Sequence, residues 1–406
     1  MTRSILVKHR EHFLPIDGPT RLLIRFRYQI ESAQSGAVDS TRNSVPTSQF
    51  VTLVPVNKSK KQHGNTKVHL RFRPETEPDA PHLLLGSPPR PVLGWKSPSK
   101  LKPRPCRRMI KQTLRNPALR KRATQFGRLV RHSAVTPRSG QTYKPRLATN
   151  GELGVTFIGH ASFFVQIAGK NVVIDPNFAR WLFVLKRLRR PGLRVADLPP
   201  IDLVLVSHAH FEHLHRPSLR AIVNHNVRMR GVAPAIIIPT HVSDLISDLG
   251  FSEIIELDWW KNSRHGNLSI THVPSRHWGA RILKDSHRGY GGFVLKAGKH
   301  SVYHAGDTAY FSGFTEIGRR LAPEVALLPI GAYNPPQFRN VHTNPADATQ
   351  AFLDLNARWM VPMHYGTFRL SHEPVDEPLQ LLDHEAQAAG IKDRVIVLEE
   401  GVTKFF

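Results

Sequence analysis

The sequence predicts an α/β (α+β) domain of mixed strands and helices behind a largely disordered, basic N-terminal segment. Three observations carry this expectation. Short apolar, β-branched runs recur through residues 151–406, and several end in a polar residue of metal-ligand type. Residues 1–150 hold 30 Lys and Arg against 7 Asp and Glu, while 151–406 hold 27 against 24. The formal charge of +26 therefore belongs to the front of the chain. Finally, Ser207-His-Ala-His-Phe-Glu-His-Leu-His215 places four histidines and a carboxylate within nine residues, straight after a strand-like run.

Residues 1–150 read as a basic, Pro-rich tail. Apolar pieces such as Arg21–Arg27 and His82–Leu85 are brief and are separated by Pro, Ser and charge. Such a composition buries too little apolar surface to offset chain entropy. Asn116–His132 predicts one short basic helix with Leu119, Phe126 and Leu129 on one side. A solvated tail, or a start assigned too far upstream of Met109, is favoured over an arm for anionic partners, so nucleic acid is not the expected partner. The single cysteine, Cys106, excludes an internal disulfide framework and a Cys-built zinc site. No apolar run approaches the ~20 residues of a membrane span, and residues 1–10 lack a signal-peptide core. A cytoplasmic protein, at most peripheral to a membrane, is expected.

From Gly154 the pattern changes. Val155–Ile158 reads as a strand followed by Gly159-His160, and Phe163–Ile167 as a second. A turn at 168–171 leads to a third, Val172–Ile174, which ends at Asp175-Pro176. Polar residues just past a strand end are where such folds place their chemistry. His160 and Asp175 are accordingly expected to orient ligand histidines by hydrogen bonds. Phe178–Arg190 is an apolar run closing in arginines. It reads as a loop helix packed on the domain, with an anionic membrane contact through Trp181 and Phe183 as the alternative.

Ile201–Val206 is a buried strand delivering the histidine cluster. Residues two apart on an extended segment point the same way, so His208 and His210 can grip one ion. Glu212 and His213 leave the turn in another direction and can hold a second. Helices are expected over 217–224 and 240–249, and strands over 235–239, 254–259 and 268–273, the last leading to His277. Residues 291–295 pair with 301–303, which run into His304-Ala-Gly-Asp307. After a strand at 325–329, Asn344 caps a helix with Pro345 at its first position. A strand at 359–362 delivers His364. The joint placement of His208, His277, Asp307 and His364 at strand ends points to one site.

These residues, in this order, resemble the metallo-β-lactamase fold of binuclear metal hydrolases. Within it the chain is most similar to the N-acyl-phosphatidylethanolamine-hydrolysing phospholipase D family and its bacterial relatives. The likeness rests on Gly159–Ser162, Leu198–Asp202, Glu256–Trp260, Ser275–Trp278, Ala305–Thr308, Leu328–Tyr333 and His364–Phe368, all within 151–406. It implies an αββα sandwich with two divalent ions, most readily Zn2+, at one edge. His208, His210 and His277 would hold one ion, Glu212, His213 and His364 the other, and Asp307 would bridge them. His342 would line the substrate pocket near a phosphate. The family has Asp where this chain has Glu212, a carboxylate one methylene longer, which bears on rate and metal identity. The implied activity is phosphodiester hydrolysis of phospholipase D type on a phospholipid or related small diester. A lactonase or other ester hydrolase, a nuclease, and a non-catalytic metal-binding relative are the alternatives.

Overall fold

The computed structural model describes residues 117–149, 151–282 and 285–406. The tail reading of residues 1–116 lies outside the described residues. Helix α1 (Pro117–Val135) comes first, then strands β1 (Gly154–Gly159), β2 (Ser162–Ile167) and β3 (Lys170–Ile174). A small hairpin of β4 (Trp181–Leu182) and β5 (Leu185–Lys186) precedes β6 (Leu203–Leu205). Helix α2 (Arg216–Arg230) leads to β7 (Ala235–Pro239), β8 (Glu253–Leu257), β9 (Asn262–His265), β10 (Leu268–Val273), β11 (Gly292–Ala297) and β12 (His300–His304). The rest alternates as α3 (Gly313–Leu321), β13 (Val325–Pro329), α4 (Pro345–Leu355), β14 (Trp359–Met363), α5 (Glu377–Ala388) and β15 (Thr403–Phe405).

Two sheets form, in the orders β15-β1-β2-β3-β6-β7-β8 and β14-β13-β12-β11-β10-β9. The period of two in strand side chains sorts their apolar residues into layers. On β2, Phe163 and Val165 join Phe293, Leu295 and Leu327 in the core between the sheets. Phe164 points the other way, into a layer with Val173, Val204 and Ile236 that Leu219 and Ile222 of α2 cover. Beyond the second sheet, Phe314, Ala351, Phe352 and Leu382 of α3, α4 and α5 close the other face. The result is the expected αββα sandwich.

Strand direction decides where the chemistry goes. β1 and β3 run the same way, each antiparallel to β2, and β3, β6 and β7 are parallel. In the other sheet β10 and β12 flank antiparallel β11, and β12, β13 and β14 are parallel. Within each sheet the C-terminal ends of these strands therefore share one edge. His160, Asp175 and His208 follow β1, β3 and β6, and His277, Asp307 and His364 follow β10, β12 and β14.

Three expectations need correction. Residues 178–190 are not a helix but the β4–β5 hairpin, with Phe183 in the left-handed region (φ 53°) at its tip. Its apolar residues face both ways, Leu182 and Leu185 inward and Trp181, Phe183 and Val184 outward, which suits a ribbon better than one helical stripe. Residues 240–249 form two single 3-10 turns, because the Glu256 carboxylate accepts the backbone N–H groups of His241, Val242 and Ser243 from outside. Residues 117–149 are organised rather than tail-like. Leu129 and Ser133 of α1 are buried, and the Lys186 amine donates to the Ala134 carbonyl at 2.8 Å. The backbone then bonds Ser139 to Leu188 and Arg190, and Tyr143 to Gly192. Main-chain pairing of this kind leaves no trace in composition, so the organised region starts earlier than residue 151.

Gly192 sits at a tight crossing, its N–H donating to the Ile158 carbonyl and its own carbonyl accepting from Tyr143. A Cβ there would overlap the backbone of Glu400 and Gly401. Replacing Gly192 with Ala should cost roughly 1–3 kcal/mol, read as a lower midpoint in chemical denaturation with an unchanged slope.

Candidate metal centre

The centre is built around a buried carboxylate. Asp307, in the turn after β12, is 2% exposed, and neither of its side-chain oxygens has a hydrogen-bond partner among the described residues. Histidine nitrogens face it instead: His364 Nε2 at 3.0 Å, His213 Nε2 at 3.3 Å, His342 Nδ1 at 3.8 Å, His208 Nε2 at 3.9 Å and His277 Nε2 at 4.0 Å. An unpaired buried carboxylate is costly. The surrounding rings come from both sheets, so the two halves of the sandwich meet here.

Three of the rings are held by their far nitrogens. The Asp175 carboxylate accepts the Ser207 amide at 2.7 Å, the Ser207 hydroxyl at 2.6 Å and His213 Nδ1–H at 2.7 Å. With its proton committed to Asp175, the Ser207 oxygen accepts His208 Nδ1–H at 2.9 Å. His277 Nδ1–H donates to the Val341 carbonyl at 2.9 Å. A backbone hydrogen bond to Ala280 engages the ring of His210. These partners assign the tautomers of the neutral rings: the inward nitrogens of His208 and His277 carry lone pairs. His208 Nε2 and His277 Nε2 lie 2.9 and 3.3 Å from His210 Nδ1. Nitrogens this close share either a proton on His210 or a metal cation between them.

The donors therefore fit a metal. His208, His210, His277 and Asp307 offer ligand atoms within 4.8 Å of one another, and so do Glu212, His213 and Asp307. His160, His213 and His364 form a further such group, as do Asp307, His342 and His364. Electrostatics agrees. Burial first, then the neighbouring rings, holds the pKa values of His208 and His160 well below the usual value, and burial chiefly lowers that of His277. These rings are neutral and able to coordinate. Burial opposes a charge on His213, but Asp307 and Asp175 on either side outweigh it and raise its pKa well above the usual value. Burial likewise opposes the Asp307 carboxylate, but His213 and His364 hold it ionised, its pKa well below the usual range.

All of the sequence-predicted site residues gather here. The Asp175 carboxylate accepts His213 Nδ1–H, whereas among the described residues the His160 ring hydrogen-bonds no other histidine and its Nε2 is unpaired. His160 acts through its backbone: its carbonyl accepts the His364 amide at 2.7 Å, and its own amide donates to Thr367 Oγ1 at 2.7 Å. Both His160 and His364 are left-handed (φ 63° and 62°), a costly backbone held by these contacts. The sequence reading missed Ser207, Thr367 and Arg281, whose guanidinium ties the Ala209 and Leu214 carbonyls across the histidine loop at 2.7 and 3.0 Å. Ser207 and Thr367 lie beside recognised histidines, and that adjacency was their only signal. Asp175→Asn should free the His213 ring and lower the affinity for a divalent ion by about 10–100-fold, measured by competition with a coloured chelator.

The comparisons with known proteins agree with this geometry. Residues 170–365 match the model of the beta-lactamase superfamily domain. The chain is 32% identical over 269 residues to an uncharacterised Mycobacterium tuberculosis protein, covering 63% of this chain and 70% of that one. It is 32% identical over 249 residues to N-acyl-phosphatidylethanolamine-hydrolyzing phospholipase D 1 of Caenorhabditis elegans, covering 57% of this chain and 70% of the other. It is 30% identical over 252 residues to a UPF0173 metal-dependent hydrolase of Methanopyrus kandleri, covering 61% and 97%. The fold also resembles an isothiocyanate hydrolase from Delia radicum gut bacteria, with TM-score 0.51, 20% identity and coverage of 62% and 98%. On these grounds the chain belongs to the β-lactamase superfamily of metal-dependent hydrolases.

Proposed function

We propose that this enzyme hydrolyses a phosphodiester with two divalent ions, most readily zinc, and that its substrate is a phospholipid or a related diester. The observation that carries the reading is the donor set around Asp307. His208, His210, His277 and Asp307 would hold one ion; Glu212, His213 and Asp307 would hold the other, with His364, whose Nε2 is 3.0 Å from Asp307, completing it as the family resemblance implies. Such a pair supplies Lewis acidity that activates water and draws charge from a phosphoryl group.

The chain's own residues do the rest. Asp175, Ser207 and the Val341 carbonyl fix the rings before substrate arrives, so little reorganisation is needed. His342 stands at the edge of the cluster, its ring 5.1 Å from that of His277 and 5.4 Å from that of His364. Burial lowers its pKa to about 4, so it meets substrate as a neutral hydrogen-bonding group. Trp278 stacks on His277 at 4.6 Å and is 43% exposed, and Phe338 beside His342 is 38% exposed. An apolar rim around a polar centre suits a diester with a lipid portion. The activity for which the Caenorhabditis elegans relative is named supports the same substrate class. For domain organisation, we take the catalytic unit to begin ahead of residue 139, since the 136–149 backbone pairs with the 188–192 segment.

Purified protein with its metal content quantified should turn over phospholipid or water-soluble diesters in preference to lactones and RNA, and Asp307→Ala should lose metal and turnover together. Preference for a lactone or for RNA would replace the phosphodiester reading. Glu212→Asp shortens the carboxylate by one methylene and should stay active, whereas Glu212→Gln should weaken the second ion position. Equal metal content and turnover in all three forms would remove Glu212 from the ligand set.

A further inference from the structure

We infer that the β4–β5 hairpin is the point at which this enzyme docks on an anionic lipid bilayer, flanked by the arginines of α1. The link to catalysis rests on the lipid-diester reading; the docking itself does not.

The hairpin tip is unusual for a water-facing surface. Phe183 is 70% exposed, Val184 49% and Trp181 44%. Scattered exposed apolar residues are ordinary, but three within four positions on a projecting turn form a patch. The tip is also rigid at its base. Leu182 and Leu185 are buried, and the Arg187 amide closes onto the Arg180 carbonyl at 2.9 Å. Arg187, itself fully buried, donates to the carbonyls of Asn177 and Arg189. A tip anchored in this way presents its side chains without further loss of chain entropy.

Charge identifies the occupant. The α1 helix packs its C-terminal end on the hairpin, with the Lys186 amide 3.3 Å from Ser133 Oγ and its amine on Ala134. Its exposed residues include Phe126, Arg128, Arg131 and Val135. Arg128, Arg131 and Arg180 have no acidic partner among the described residues. From Ala80 to Gly151 the sequence contains no Asp or Glu. Apolar side chains flanked by arginines suit lipid tails bordered by anionic headgroups. Single-stranded RNA also joins cations to aromatic rings, but here the aliphatic Val184 completes the tip beside Trp181 and Phe183, and aliphatic surface suits acyl chains rather than bases.

The hairpin also leads to the metal centre. The Phe183 ring meets Phe211 edge-on at 4.5 Å, and Phe211 lies between His210 and Glu212. The Arg281 guanidinium covers the same ring at 3.9 Å. Between these elements runs a groove of about 480 Å³, lined by Leu182, Phe183, Phe211, Pro217, Leu249 and Arg281 among others. Its walls are apolar enough to receive part of an acyl chain beside the histidine loop.

The test is cosedimentation of the full-length protein with phosphatidylcholine vesicles made with and without phosphatidylglycerol. Wild type should bind the anionic vesicles, and F183S/V184S should weaken that binding about tenfold. Phe183→Ser and Val184→Ser singly should each weaken it several-fold, so misfolding of the double variant would not rescue the idea. Phe183→Leu keeps an apolar tip and should bind as wild type. Hydrolysis of a water-soluble diester should not change in Val184→Ser, whose side chain lies outside the groove lining, and if wild type hydrolyses no diester, the vesicle result still stands by itself. Serine variants that bind vesicles as tightly as wild type would overturn the docking surface. Variants that lose binding to single-stranded RNA while keeping vesicle binding would do so in favour of nucleic acid.

Discussion

The buried charge of Asp307 is the constraint on which the rest of the site depends. A carboxylate at this depth is tolerable only among positive partners, and among the described residues its nearest histidine rings are those of His213 and His364. The fold meets that demand from two sheets at once. His208 and His213 arrive after β6 of the first sheet, while His277 and His364 arrive after β10 and β14 of the second. Because their outer nitrogens are engaged by Ser207 and the Val341 carbonyl, the inner nitrogens of His208 and His277 are left as lone pairs facing one small volume, while Asp175 holds the His213 ring beside them. A metal cation would make this arrangement favourable, and the superfamily to which the chain belongs contains metal-dependent hydrolases.

Asp175 shows how the constraint reaches outward. Its carboxylate accepts from the Ser207 amide and hydroxyl and from His213, so one residue sets the loop entry and two rings. The left-handed backbone at Asp175, His160 and His364 is part of the same frame. Hydrogen bonds from the His364 amide to the His160 carbonyl, and from the His160 amide to Thr367, join the β1 and β14 ends across the sheets. Losing such a contact would move a ring without removing any ligand.

Much of this was legible in the sequence, for a physical reason. Strand runs such as Ile201–Val206 and Trp359–Pro362 are short, apolar and bounded by polar residues, so period and punctuation identify both the strand and the ligand-type residue at its end. The Asn344 cap was equally plain, and the helix carries a full capping box with Asp347. Contacts made by main chain or by distant partners were not legible. The pairing of Ser139 and Tyr143 with residues 188–192 uses backbone groups that every sequence possesses. Phe178–Arg190 misled because a dense apolar run of this length suits a helix or a ribbon equally, and tertiary contacts at Arg187 decided between them. The backbone bridge at His160 could not be read because it uses peptide groups that every residue possesses.

The most direct test of the account is anomalous diffraction at the zinc edge from crystals of the protein prepared with zinc. The donor geometry predicts two strong peaks, one among His208, His210 and His277 and the other among Glu212, His213 and His364, with Asp307 touching both. A single peak away from Asp307, or zinc bound only at surface histidines, would contradict it.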